Sequence, residues 1–139
     1  LVYRADGGMA AALDYREVAP AAATREMFVV DGKADPNLSR RGGLAIAVPG
    51  EVAGLALLQQ RFAALPLARL LEPAIRLAAD GFPAGRHLAQ AVAAQVDAIR
   101  RSPGLARVFL DAAGQPKPEG AWIRQPQLAA TLQAIADHG

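Results

Sequence analysis

Short apolar runs separated by turn residues fill the first third of the chain. Residues 1–4 predict a strand, the Asp6-Gly7 step predicts a hairpin turn, and residues 9–15 predict the returning strand. Residues 44–48 are Leu-Ala-Ile-Ala-Val and lie between a glycine pair and a Pro-Gly turn, which predicts a short buried strand. This part of the chain therefore predicts a hairpin and one further strand.

The stretch between the hairpin and that strand shows no regular alternation. Pro20 opens an alanine-rich stretch that ends near Phe28, and we expect one short helix there, because proline is tolerated in a first helical turn. Residues 31–41 are polar and contain glycine, proline and asparagine, so they predict a loop.

In the remaining two thirds of the chain, apolar residues recur at helical spacing. Four helices are predicted, at residues 51–63, 67–79, 85–101 and 127–138. Gly81 is suited to end the second helix, whereas Pro73 inside it should break or kink it. Residues 105–122 predict a turn of helix and an irregular loop. The whole pattern predicts an α+β fold, with a hairpin and a strand followed by a helical layer.

Composition narrows the classes of function. The chain has 139 residues and a net charge of +2, its basic residues are interspersed with acidic ones, and aromatic residues make up 5%. This distribution disfavours nucleic-acid binding, which favours a basic face with interleaved aromatic residues. The absence of cysteine excludes disulfides, thiolate metal ligands and a cysteine nucleophile.

Both chain ends look truncated, since a strand-like run begins at Leu1 and the last predicted helix ends just before Gly139. We therefore expect residues 1–139 to be a single partial domain, an internal piece of a longer protein. A missing export signal then has no weight, and no apolar run approaches the length of a membrane span.

Candidate reactive groups are few. His87 and His138 have no partner at a metal-ligand spacing, and we expect both to face solvent rather than bind a metal. No hydroxyl residue has the sequence context of a nucleophile. These hydroxyl residues are Thr24, Ser39, Ser102 and Thr131. No catalytic residue is therefore predicted within this sequence.

The most site-like stretch is Asp14-Tyr15-Arg16-Glu17, which follows the predicted hairpin. Binding residues favour loops that a rigid scaffold holds. An arginine in such a loop can present two parallel N–H donors to a carboxylate. A surface Arg-Glu pair at a strand end is the alternative, and the residues alone leave both interpretations open.

A series of ordered motifs resembles the γ-glutamyltransferases. The first is Ala-Leu-Asp-Tyr-Arg-Glu-Val-Ala-Pro at residues 12–20. The others lie at residues 23–28, 42–54, 65–66, 71–78, 81–83 and 125–129. The likeness covers essentially the whole chain, and several motifs in the same order are far more specific than any one of them.

The resemblance implies an N-terminal-nucleophile hydrolase, in which two sheets lie between helical layers. In that family the precursor cuts itself, and a threonine becomes the new N-terminus of a small subunit. Its hydroxyl attacks the γ-glutamyl amide of glutathione or a related compound, with its own α-amino group as the base. Water or an amino acid or peptide then accepts the glutamyl group. No metal or organic cofactor is implied, and the nucleophile lies outside this chain, which alone should be inactive.

The resemblance carries over one binding residue. Arg16 matches the large-subunit arginine that binds the α-carboxylate of the glutamyl group, and Glu17 beside it either orients Arg16 or faces solvent. Shortening Arg16 should raise KM by roughly ten- to a hundred-fold. Pro49-Gly50 and Gly54 also match and are interpreted as structural, the first turning the chain and the second letting a helix pack closely.

The implied partners are a γ-glutamyl donor such as glutathione, an amino-acid or peptide acceptor, and the small subunit from the same precursor. The resemblance also implies a periplasmic or secreted protein. Two alternatives remain: a cephalosporin-type acylase of the same superfamily, and a noncatalytic helical interaction module. The pocket residues of the small subunit would separate the first alternative from a γ-glutamyltransferase.

Overall fold

A computed structural model describes residues 1–138, and its contacts divide the chain into two units, Leu1–Ala64 and Leu65–Gly139. The first unit contains short strands, turns and one helix, whereas the second is mainly helical. The predicted α+β class therefore agrees with the secondary structure. The expectation of a single partial domain stays a prediction.

The first hairpin forms as the sequence indicates. Strand β1, Val2–Arg4, pairs antiparallel with β2, Met9–Ala11, with Val2 opposite Ala11. Residues 5–8 form the turn, and Gly8 adopts a φ of 62° that glycine accepts without a steric penalty. Strand β2 is shorter than the predicted residues 9–15, because the alanine run there lacks the alternation that pairing rewards.

A second hairpin lies where only a helix and a loop were predicted. Strands β3, Val29–Val30, and β4, Lys33–Ala34, pair antiparallel. Asp31 and Gly32 between them have φ values of 51° and 74°, the positive angles that a two-residue hairpin turn requires.

The predicted short helix at residues 20–28 is wrong. The N–H of Ala23 donates to the Pro20 carbonyl at 2.9 Å, and the N–H of Met27 donates to the Thr24 carbonyl at 3.3 Å. These are separate turns that close over three residues, and the stretch forms them in place of a continuous ladder.

The predicted buried strand at residues 44–48 is also wrong. Residues Gly43–Ala45 form a short 3₁₀ turn, and Val48 makes only an isolated antiparallel bridge to Val18. Leu44, Ile46 and Val48 are exposed in this chain. Helix α1 follows at Glu51–Phe62, close to its predicted bounds.

The second unit is built mainly from helices. These are α2, Leu67–Asp80; α3, Arg86–Ala94; α4, Val96–Arg100; α5, Pro103–Phe109; and α6, Pro126–His138. Helix α2 packs along α6. Strands β5, Phe82–Pro83, and β6, Trp122–Ile123, pair antiparallel.

Two helix predictions in this unit need correction. The helix expected at residues 85–101 is divided into α3 and α4 at Gln95, whose φ of −112° and ψ of 15° leave the helical region. Pro73 lies inside α2, so the predicted break there is wrong, whereas the predicted kink stays a prediction. Gly81 ends α2 as predicted, with a φ of 90°.

The buried core of the second unit is small and apolar. Its centre is Val92, Ile99 and Leu110, and the partly buried residues packed against them are Leu88, Val96, Ala106 and Phe109. Ile123 on β6 is nearly fully buried as well. Among residues 1–138, none of the helices combines the length and the apolar character that crossing a membrane would need.

Candidate functional site

The backbone around Arg16 is held on both sides by hydrogen bonds. Before it, a carboxylate oxygen of Asp14 accepts the N–H of Arg16 at 3.2 Å, a local turn typical of aspartate. After it, Val18 and Val48 exchange two backbone hydrogen bonds, of 3.2 and 2.9 Å. The segment that carries Arg16 is therefore tied to the chain just before α1.

Helix α1 begins beside this segment. Gly50 is its N-terminal cap residue, and the N–H of Gly54 donates to the Gly50 carbonyl at 2.9 Å. Gly54 is buried, and a Cβ built on it would overlap the Cβ and Cγ of Tyr15. The expectation that Gly54 lets the helix pack closely is confirmed, and its packing partner is Tyr15.

An open cavity of about 310 Å³ lies between the segment and the start of α1. Its lining residues are Tyr15, Arg16, Glu17, Pro49, Gly50 and Glu51. Two stretches that are distant in sequence, both among the motifs above, thus line one surface with a guanidinium and two carboxylates.

The Arg16 guanidinium is available to a ligand. Its side chain is 84% exposed, and its Nη2 donates to Oε1 of Glu17 at 3.1 Å. A guanidinium has five N–H donors, so this single bond leaves most of them open among the contacts that residues 1–138 provide.

Glu17 is an acid held in its charged form. The pKa of its carboxyl lies below the ordinary value of 4.5, first because its own backbone N–H donates a hydrogen bond to it and then because the Arg16 charge lies beside it. The group is exposed, so the lowered pKa is a local effect of a backbone hydrogen bond and an ion pair in water rather than a sign of burial.

The other sequence candidates lie away from this cavity. His87 and His138 are exposed, as expected. Thr131 Oγ1 donates to the Gln127 carbonyl within α6 at 3.0 Å, and Ser39 Oγ donates to the Pro36 carbonyl at 3.2 Å. In the part of the chain that the structure describes, no group of three or more His, Asp or Glu residues is arranged to hold a metal.

Sequence reasoning included Tyr15 in the site-like stretch but missed its contact with α1, and it missed Glu51 as a residue that lines the cavity with Arg16. The sequence carries one signal for Tyr15: Gly50 and Gly54 are four residues apart, so on a helix they fall on one face and make room there for a large neighbour. Glu51 has no such signal, because an acid in a first helical turn is common for electrostatic reasons alone.

Comparison with known proteins covers the whole chain. The sequence model of the gamma-glutamyltranspeptidase family matches residues 1–139. Scoloptoxin SSD14 of Scolopendra dehaani is 46% identical over 91% of this chain and 22% of its own length. The glutathione hydrolase proenzyme of Escherichia coli strain K12 is 34% identical over all of this chain and 24% of its own length. The chain thus spans less than a quarter of each of these two relatives.

Solved structures agree in fold as well as in sequence. The gamma-glutamyltranspeptidase of Helicobacter pylori matches with a TM-score of 0.91 and 32% identity, over 98% of this chain and 39% of that one. The cephalosporin acylase of Bacillus halodurans matches with a TM-score of 0.73 and 28% identity, over 88% of this chain and 24% of that one. The predicted N-terminal-nucleophile hydrolase fold is confirmed by these neighbours, and the chain belongs to the gamma-glutamyltranspeptidase family.

Proposed function

We propose that this chain is part of a γ-glutamyltransferase that cleaves the γ-glutamyl amide of glutathione and related compounds. The glutamyl group is passed to water or to an amino acid or peptide. Within this chain, Arg16 binds the α-carboxylate of the glutamyl group, and Glu17 orients the guanidinium. The observation that carries the proposal is an exposed arginine at the edge of an open cavity, in a chain that the family model matches over residues 1–139.

The chemistry of Arg16 suits this role. The α-carboxylate of a glutamyl donor keeps its charge throughout the reaction, so the site needs a permanent cation rather than an acid or a base. Arginine stays protonated at all working pH values and can grip both carboxylate oxygens through parallel N–H groups. Binding at this end of the donor leaves its γ-carbonyl free to meet the nucleophile.

The bond-breaking steps use groups outside this chain. The hydroxyl oxygen of an N-terminal threonine forms an ester with the γ-carbonyl carbon, and the amide C–N bond breaks so that the amine leaves with a proton. Water or an acceptor amine then attacks the ester and regenerates the hydroxyl. The contribution of Arg16 is to hold the donor in place during both steps.

The same proposal includes the partners and the compartment. They are a γ-glutamyl donor, an acceptor amine, and a small subunit cut from the same precursor. The name of the E. coli relative, a proenzyme, supports the processing step. The proposed compartment is the periplasm or the outside of the cell. Measuring γ-glutamyltransferase activity in fractionated cells would test this localisation.

A donor pair tests the role of Arg16. The full-length protein and its Arg16→Ala variant are compared on glutathione and on the analogue whose glutamyl α-carboxylate is converted to an amide. Losing a charge-assisted pair should raise KM for glutathione by roughly ten- to a hundred-fold and leave KM for the amide nearly unchanged. Arg16→Lys should fall between the two, because lysine keeps the charge and loses the forked geometry.

The chain offers a matched control. Arg25 is 95% exposed and also lies beside a glutamate, Glu26, at 3.8 Å, in the same unit but away from the cavity. Arg25→Ala should leave both KM values unchanged. An equal rise for both donors in Arg16→Ala would count against carboxylate binding, since the amide has no charge for the arginine to meet.

A second candidate function is supported by the acylase neighbour. A cephalosporin-type acylase has the same architecture and acts on a different acyl side chain, and the Bacillus halodurans structure shares the fold of this chain. Turnover of a glutaryl amide, which keeps the carboxylate of the glutamyl group but lacks its α-amino group, at a rate above that of glutathione would favour it. Family membership leaves the noncatalytic helical module without a supporting observation.

A further inference from the structure

We propose that Gly54 is a positioning residue for donor binding. Because Gly54 has no side chain, the Tyr15 side chain can pack directly against α1. This packing fixes the position of the next residue, Arg16, and so of its guanidinium. The inference rests on the proposed role of Arg16 and adds a buried residue that acts on the donor only through its neighbours.

The contact between Gly54 and Tyr15 leaves no space for a methyl group. A Cβ on Gly54 would overlap Tyr15 Cβ and Cγ and would lie 2.7 Å from Cδ1. These atoms are at the base of the side chain, so a rotamer change cannot remove the overlap. The backbone of residue 15 would have to move away from α1.

Gly50, four residues before Gly54, also has no space for a methyl group. A Cβ there would lie 2.6 Å from the Tyr15 carbonyl oxygen and 3.4 Å from that of Arg16. Gly50 therefore faces the backbone of residues 15 and 16, and Gly54, four residues further on, faces the base of the Tyr15 side chain. Because the backbone of Arg16 itself lies close to Gly50, the start of α1 determines the position of Arg16.

A displacement of the Tyr15 backbone should be passed on to Arg16. The hydrogen bonds at Asp14 and Val18 hold the segment on either side, so a shift at residue 15 must appear between them. A two-pronged bond to a carboxylate depends on the plane of the guanidinium, and misplacement by about 1 Å can cost roughly a hundred-fold in an enzyme site.

The test is Gly54→Ala in the full-length protein, assayed on glutathione and on the α-amide analogue. An overpacked contact should raise KM for glutathione by about ten-fold or more, with kcat nearly unchanged because uniform binding is lost. KM for the amide should change far less, so the preference for the carboxylate donor falls. A merely structural role would move both donors together.

The matched control is Gly104→Ala. Gly104 also lies within a helix, α5, and a Cβ there would meet nothing within 4 Å. The variant should keep the wild-type KM for both donors, and a ten-fold rise there would overturn the argument, because the effect would then follow from any Gly-to-Ala change in a helix.

A second pair of variants covers the case in which Gly54→Ala does not fold. Tyr15→Ala removes the ring that packs against Gly54, so KM for glutathione should rise. Tyr15→Phe keeps the ring and should therefore have a KM close to that of the wild type. Unchanged KM in both Gly54→Ala and Tyr15→Ala, with a raised KM in Arg16→Ala, would overturn the positioning role and leave the proposed function standing. Unchanged KM in Arg16→Ala would overturn both.

Discussion

Val18 and Val48 exchange two backbone hydrogen bonds, with the Val18 N–H donating at 3.2 Å and the Val48 N–H donating at 2.9 Å. Val18 comes two residues after Arg16, and Val48 directly precedes the Pro49-Gly50 turn into α1. This bridge joins the two stretches that line the cavity, and it lies outside any continuous sheet in the described part of the chain. These two backbone hydrogen bonds therefore fix the distance between the two stretches that line the candidate site.

Replacing Val48 with proline should loosen that spacing. Val48→Pro removes the N–H that donates at 2.9 Å and leaves the Val18 carbonyl to water, because both residues are exposed. A lost, solvent-compensated hydrogen bond is worth about 1 kcal/mol, so KM for glutathione should rise by about five-fold. Steady-state kinetics of the full-length protein measure this, and Val48→Thr, which keeps the N–H and the branched shape, should behave as wild type.

Acid should remove the influence of Glu17 on Arg16. The pKa of Glu17 is lowered, so its ion pair is fully present above the ordinary value of 4.5 and is lost as pH falls through the lowered value. Glu17→Gln should raise KM for glutathione by at most a few-fold at neutral pH, since exposed pairs contribute little. That difference should persist at pH 5 and shrink only below 4.5.

The comparison with Glu26→Gln isolates the site. Glu26 lies beside Arg25 with the same sequence spacing, and it does not line the cavity. KM in Glu26→Gln should match wild type at every pH. A wild-type KM in Glu17→Gln would remove Glu17 as an orienting partner and leave it as a solvent-facing acid.

The sequence predicts helices well where apolar residues repeat over several turns. Residues 51–63 and 67–79 were expected to be helical, and the helices span Glu51–Phe62 and Leu67–Asp80. The break at Gln95 was missed because the apolar stripe runs through it unchanged, from Val92 to Val96 and Ile99. Periodicity reports the face that packs, and a face can continue across two helices with a hinge between them.

Short apolar runs carry less information. Residues 44–48 have the composition of a buried strand, yet Leu44 and Ile46 are exposed. Composition predicts that such a run is covered in the complete protein, and this chain spans less than a quarter of the two relatives described above. Arg16 could be selected as a site residue from its motif, but the Tyr15 contact depends on which face of α1 approaches it, which no local pattern gives.

The end of α2 offers a stability test. Gly81 has a φ of 90° and a ψ of 176°, a region that only glycine occupies freely, and a Cβ there would lie 2.7 Å from the Ile123 carbonyl oxygen. Gly81→Ala should therefore cost about 3 kcal/mol through strain and overlap together. Gly114→Ala separates the two causes, because Gly114 has a φ of 74° and open space around it, and it should cost about 1 kcal/mol. Thermal unfolding of the full-length variants gives the order.

Ile123 tests the core of the second unit. Only 1% of its surface is exposed, on a two-residue strand whose partner directly follows α2. The side-chain N–H groups of its neighbours Trp122 and Arg124 donate to the Asp80 carbonyl at 2.8 and 2.9 Å, and the backbone N–H of Gln125 donates to the Ala78 carbonyl at 2.8 Å. The chain around Ile123 is therefore tied to the end of α2, and a cavity there should not collapse. Ile123→Ala should then cost about 3 kcal/mol, whereas Leu77→Ala, at a residue that is 55% exposed in this chain, should cost below about 1 kcal/mol.

The unfolding temperature and amide exchange together show which part of the second unit loses stability in Ile123→Ala. Its unfolding temperature in the full-length protein should fall well below that of Leu77→Ala, and amide exchange should rise first at Gly81 and Gln125, whose N–H groups donate to carbonyls near the end of α2. An equal loss of stability in the two variants would mean that protein outside residues 1–138 covers Leu77. Faster exchange confined to α3 and α4 would mean that Ile123 supports the Val92 cluster instead of the end of α2.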